Sequence, residues 1–198
     1  MKFLTFADLH GDTGLLKKLV KRAKQDDIQF VLIAGDFTSF EANMRAILKR
    51  LNSINKPVYL IPGNHEESKN YRETVKDYSN CEDVNKKALI IGDFIILSYG
   101  GGGFAASDSD FREIARKWYG KYKGKKIIFM THGPPYKTKL DLINDRYVGN
   151  KDYRKFIERM KPKLVIAGHI HENFGVVDEI DGTKLVNPGY EGMVIELF

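Results

Sequence analysis

The chain is poor in the features that mark several protein classes. It holds one cysteine, Cys81, among 198 residues. That excludes an internal disulfide and a thiolate-based structural zinc site, and it suits a reducing compartment. Long apolar runs are missing too. The opening run, Met1 to Ala7, stops at Asp8, too short for a signal peptide or a membrane span, so the chain reads as a cytoplasmic protein with no membrane partner. No repeat, low-complexity tract or linker divides it, and residues 1–198 read as one domain. Gly100 to Gly103 lacks the Lys-Ser/Thr ending of a phosphate-binding loop and reads as a flexible turn. Gly11-x-x-Gly14 lacks the spacing of a dinucleotide fingerprint.

What the chain does have is a globular balance, 42% hydrophobic and 29% charged residues, with a net charge of +6. A basic surface favours anionic partners such as phosphate esters, nucleotides or nucleic acid. Between Ile114 and Leu140 there are eight Lys or Arg residues and no Asp or Glu. No nucleic-acid motif accompanies them, so nucleic acid is compatible with the charge but not indicated, and a solvated basic helix and loop is the plainer reading. Lys137 and Lys139 lie closest in sequence to His132 and are the better candidates for meeting an anion.

Hydrophobic periodicity supplies the architecture. Phe3 to Ala7, Ile28 to Ala34 and Pro57 to Ile61 read as buried strands. Leu15, Leu16, Leu19, Val20 and Ala23 fall on one helical face between the first two, and Met44, Ile47, Leu48 and Leu51 on another between the next two. This β-α-β-α-β order implies a parallel sheet with helical crossovers. Leu89 to Ile91 and Phe94 to Leu97 flank Gly92 and form a hairpin signal. A helix is expected over 108–122, a strand over 127–131, a helix over 151–160 and a strand over 164–167. A second hairpin is expected around Asp181-Gly182, with a closing strand over 193–198. Two facing mixed sheets with helices outside would bury every run, giving an α/β/β/α sandwich of four layers.

All five histidines follow such strands. His10 comes after the first, His65 after the third, His132 after the 127–131 strand, and His169 and His171 after the 164–167 strand. The carboxyl ends of parallel strands form the ligand crevice of an open sheet, so five imidazoles are expected at one edge, with none on a helix face. Asp8, Asp36 and Asn64 sit at the same edge. In an extended Gly168-His169-Ile170-His171 segment, alternate side chains share a face. Each residue has an ordinary reading by itself: Asp36 as a turn or cap residue, Asn64 as a turn residue, a lone histidine as a hydrogen-bonded one. The ordered combination decides. Mixed oxygen and imidazole donors without thiolate suit manganese, iron, zinc, cobalt or nickel.

The series Asp8-x-His10, Gly35-Asp36, Gly63-Asn64-His65-Glu66, His132-Gly133 and Gly168-His169-x-His171 resembles the calcineurin-like metallophosphoesterase superfamily. His132 to Pro135 is similar to the His-Gly-Pro-Pro block of compact prokaryotic and archaeal members. The resemblance implies two divalent metal ions, manganese foremost. Asp8, His10, Asp36 and His171 would hold the first, and Asp36, Asn64, His132 and His169 the second, with Asp36 bridging. His65 would be catalytic without ligation. Glu66 stands where many members have Asp, and that position commonly orients the histidine, so Glu66 is expected to orient His65 through a longer arm.

The implied reaction is hydrolysis of a phosphate ester by in-line attack of a metal-bridging hydroxide. The leading substrate reading is a small or nucleotide-like phosphodiester. The alternatives are a phosphomonoester, including nucleotide or phosphoprotein substrates, and a non-enzymatic scaffold of the same fold.

Overall fold

A computed structural model describes residues 1–198. In chain order the elements are β1 (Lys2–Phe6), α1 (Thr13–Ala23), β2 (Phe30–Ala34), α2 (Met44–Asn52), β3 (Val58–Ile61), α3 (Lys69–Lys76) and β4 (Cys81–Asp83). Then come β5 (Lys87–Ile91), β6 (Phe94–Tyr99), α4 (Ser109–Tyr122), β7 (Lys126–Thr131), β8 (Leu142–Ile143), β9 (Arg146–Tyr147) and α5 (Lys151–Met160). The chain closes with β10 (Leu164–Ile166), β11 (Val177–Ile180), β12 (Thr183–Val186) and β13 (Met193–Glu196).

The strands form two principal sheets, in the orders β13-β1-β2-β3-β4 and β11-β12-β10-β7-β6-β5. The first is parallel except for β13, antiparallel to β1. The second is parallel through β12, β10, β7 and β6, with antiparallel strands at both margins. β8 and β9 make a separate small hairpin.

Alternation along each strand explains the layers. In β2, Val31 and Ile33 face a core shared with α1, α2 and α3, where Leu16, Leu48 and Tyr71 pack. Leu32 and Ala34 face the other way, into an inter-sheet layer with Phe3, Ile96, Ile128, Met130 and Ile166. In the second sheet, Leu97, Phe129 and Val165 turn outward against Phe111, Trp118 and Phe156 on α4 and α5. Strands buried on both faces must be apolar throughout, which is why they read as continuous runs rather than as period-two patterns. The four-layer sandwich with two mixed sheets is therefore the architecture of the molecule.

The structure adds elements to those read from the sequence and shifts some boundaries. α3 and β4 follow the Gly63-Asn64-His65 segment and extend the first sheet at its edge. Only Tyr71, Thr74 and Val75 of α3 are buried, so its apolar stripe is too narrow to register as a helical period. Its start is marked by Ser68, whose side chain accepts from the Asn70 N–H, an N-cap signal. Asp108 is likewise the cap of α4, accepting from Phe111, rather than its first residue.

Candidate metal centre

β1, β2, β3, β7 and β10 all end at one edge, and the loops leaving them carry the polar cluster. Several of these loops adopt left-handed backbone at residues other than glycine: φ is 56° at Asp8, 47° at His10, 50° at Asp36 and 71° at His169. Such positions store about 1–3 kcal/mol each and gather at functional sites. Neighbouring glycines are dictated by the carboxylates. A Cβ on Gly63 would collide with the Asp36 carboxylate, and one on Gly168 with that of Asp8. The glycines of these two blocks therefore make room for the acidic side chains.

The cluster divides into two lobes. In one, His10 Nε2 lies 3.1 Å from His171 Nε2, and His171 Nε2 lies 3.8 Å from Asp8 Oδ1. In the other, His132 Nε2 lies 3.4 Å from Asp36 Oδ2 and 3.0 Å from Asn64 Oδ1, and His169 completes a trio of donors with Asp36 and His132. Asp36 joins the lobes, since the same Oδ2 is 4.0 Å from His10 Nε2 and 3.9 Å from His65 Nε2. All eight residues named from the sequence thus meet at one edge.

Hydrogen bonds to the far side of each group set its orientation. His132 Nδ1 donates to the Ala34 carbonyl at 2.9 Å, which turns Nε2 toward Asp36 and Asn64. Both Asp8 oxygens accept from the His169 N–H, at 3.1 and 2.9 Å. Asp36 Oδ1 accepts from the His65 N–H at 2.9 Å, leaving Oδ2 free for the centre of the cluster.

Burial raises the Asp8 carboxyl to about 7, against an opposing pull from His132. It lowers His169 to about 4, reinforced by the nearby His132 charge, so His169 offers a neutral lone pair at neutral pH. Burial would also raise Asp36 and lower His132, but their mutual hydrogen bond and opposite charges prevail, holding Asp36 at about 2 and His132 at about 9. Without a cation, the pair shares a proton where positive charge is wanted.

Two observations test whether these residues fit metal ions. His169 Nε2 is buried with no hydrogen-bond partner, a costly condition for a polar atom that a cation would relieve. The His10 and His171 ring nitrogens approach to 3.1 Å, where two lone pairs repel unless a proton or cation lies between them. The donor set of carboxylates, an amide and imidazoles suits borderline divalent ions, and the residues fit.

Two sequence-based expectations need correction. Glu66 does not orient His65. Its buried carboxylate accepts from the N–H groups of Asp36, Thr38 and Gly63 and from the Thr38 hydroxyl, at 2.6 to 3.0 Å, and so ties two ligand loops together. The longer arm reaches backbone instead of the imidazole, and His65 Nδ1 takes the Phe40 N–H at 3.3 Å. His169 and His171 do not share the face of an extended segment. The left-handed turn at His169 sends the two rings into different lobes, and His171 opens a short 3-10 turn, His171–Asn173, with its side chain 53% exposed. Gly100 to Gly103 forms a turn as expected, with positive φ at Gly101, Gly102 and Gly103, and it leaves β6 at the same edge, where a Cβ on Gly103 would stand 3.5 Å from the His169 ring. Its place directly after a buried strand was the signal.

Several cations of the basic stretch are engaged locally. Lys117 pairs with Glu113 and Lys126 with Asp93, and Lys137 stands over the Tyr136 ring. No helix is long and apolar enough to cross a membrane.

A four-layer sandwich with histidines, carboxylates and an amide converging at the strand ends defines a protein of the metallophosphoesterase class. The chain belongs to the calcineurin-like phosphoesterase family, whose model matches residues 1–173. A probable glycerophosphodiester phosphodiesterase, GpdQ, of Arcobacter nitrofigilis is 24% identical over 152 residues, 71% of this chain and 56% of that relative. The match therefore spans little more than half of the curated relative's length. Among solved structures, TT1561 of Thermus thermophilus superposes with a TM-score of 0.78 at 18% identity, covering 96% of this chain and 90% of that one. A dimetal phosphatase from Danio rerio superposes with a TM-score of 0.61 at 11% identity, covering 94% and 86%. These likenesses show a shared fold.

Proposed function

We propose that this protein is a two-metal phosphodiesterase for small or nucleotide-like substrates. The observation that carries the reading is the position of Asp36, whose Oδ2 lies within 4.0 Å of ring nitrogens from both lobes. One carboxylate can then serve two cations. Asp8, His10 and His171 would complete one site with Asp36, and Asn64, His132 and His169 the other. When bound, such a pair of ions activates water near neutral pH and polarises the phosphoryl oxygens. Manganese is the leading candidate from the family resemblance, and the mixed oxygen and imidazole donors are also compatible with iron, zinc, nickel and cobalt.

The chain's own residues supply orientation and a proton. The Ala34 carbonyl holds the His132 ring, and the His169 N–H holds Asp8, so the donors need little reorganisation when a ligand arrives. His65 accepts the Phe40 N–H on Nδ1, which leaves its proton on Nε2 in the neutral ring. That N–H faces the centre of the cluster and is free to donate to a phosphoryl or leaving-group oxygen. The diester preference is supported by the name of the curated relative, a glycerophosphodiester phosphodiesterase.

The test is hydrolysis of bis(p-nitrophenyl) phosphate and p-nitrophenyl phosphate by metal-stripped protein reloaded with manganese, with metal content measured on the same sample. Two ions per chain and faster turnover of the diester are expected. Preference for the monoester would reassign the substrate class. Folded, metal-loaded protein that hydrolyses neither would overturn the enzyme reading in favour of a scaffold.

A further inference from the structure

The mouth of the cluster is rimmed by aromatic rings that hydrolysis at phosphorus does not require. Phe40 is 76% exposed and lies flat on the His65 ring, with centroids 3.9 Å apart and an interplanar angle of 19°. Phe104 is 62% exposed and stands edge-on to the His169 ring at 4.4 Å. Phe174 meets His171 at 4.8 Å, and Tyr190, 38% exposed, stands against Phe174 at 5.1 Å.

Two unrelated loops hold the first two rings in place. Phe40 has a φ of 49°, and Glu41 and Asn43 follow at 61° and 55°, an uncommon and costly run for residues with side chains. Phe104 follows Gly101, Gly102 and Gly103, at φ 80°, 91° and 46°. One loop leaves the first sheet and the other the second, and each presents a large apolar ring to water beside a candidate ligand or catalytic histidine. Exposed apolar surface concentrated at a polar site marks something that binds there. Phosphoryl oxygens gain nothing from the electron-rich face of a phenyl ring, whereas a flat group attached to the phosphorus does.

We propose that Phe40 and Phe104 form a subsite for a planar group of the substrate, and that the substrate class is a nucleoside-containing phosphodiester. The inference rests on the phosphodiesterase reading for the reaction but not for the binding. One face of Phe40 is covered by His65, and the other is free to stack a base. A base stacked on an aromatic side chain contributes about 1–3 kcal/mol, a factor of roughly 5–150 in affinity.

The test titrates manganese-loaded protein with adenosine 5′-monophosphate and with glycerol 3-phosphate, two monoesters differing in the group attached to phosphate. The nucleotide should bind about 10–100-fold more tightly. Phe40→Ala and Phe104→Ala should shrink that ratio, and Phe40→Trp should retain it. Phe40→Leu keeps apolar area without a planar face and should lose most of it. Equal affinities in the unaltered protein overturn the subsite, as does a ratio that survives both alanine variants. A dimer in sedimentation that the same variants dissociate also overturns it, because the rings then serve a second copy of the chain. A nucleotide advantage in protein that hydrolyses no diester leaves the subsite standing and removes the phosphodiesterase reading. Diester turnover without the advantage does the reverse.

Discussion

The two lobes of the cluster are built differently. Around Asp36, the His132 side chain is fully buried and its ring is held from behind by a backbone carbonyl. Around Asp8, the His171 side chain is 53% exposed and sits at the start of a short 3-10 turn. Burial fixes rotamers and tautomers before any ligand arrives, whereas exposure leaves a side chain free to exchange its partners. The buried lobe is accordingly expected to hold its ion tightly, and the exposed lobe to load and release its ion more readily. A graded chelator titration should remove one equivalent first, and that equivalent should be the one His171→Ala also loses.

The largest effect should come from the residue that joins the lobes. Asp36→Asn is expected to cut metal content from two ions per chain to at most one, and to lower turnover more than any other single change. Elemental analysis showing two ions in that variant would contradict the role of Asp36 in joining the lobes. Next in size, His65→Asn should keep both ions and lose about 10²–10⁴-fold in rate, measured as kcat on the diester. Unchanged turnover would remove His65 from the chemistry.

Glu66→Gln acts on the frame of the buried lobe. Four donors converge on its carboxylate, and an amide can accept on only one of its two heavy atoms. Stability of the metal-free protein should fall by about 1–3 kcal/mol, and metal affinity by about 10–100-fold, in denaturant and metal titrations. A pair of substitutions with one large and one small effect separates the lobes most directly. Without metal, His132→Ala strands the buried Asp36 charge and should cost about 3–5 kcal/mol, whereas His171→Ala should stay within about 0.5 kcal/mol. Equal losses in denaturant unfolding would mean that burial is not what distinguishes the two halves.

Much of the architecture could be read from residue pattern, because strands covered on both faces advertise themselves as unbroken apolar runs, such as Phe30 to Ala34. α3 escaped notice because it buries three side chains on one margin of a sheet. The site was legible as a set of residue types at successive strand ends. The role of Glu66 was not, since its four partners come from the strand end at Asp36, the loop at Thr38 and the turn at Gly63. The roles of Phe40 and Phe104 were equally hidden, because exposed phenyl rings in loops carry no period.

Sequence alone determined the kinds of donor, their order along the chain and the edge at which they gather, since local periodicity places strand ends and strand ends in a parallel sheet point one way. Only the tertiary structure decided which donors share a lobe, that Asp36 reaches both, and which rings frame the opening. Those are relations between segments as far apart as Asp8 and His169. They depend on left-handed turns and on packing between two sheets, neither of which any stretch of residues specifies by itself.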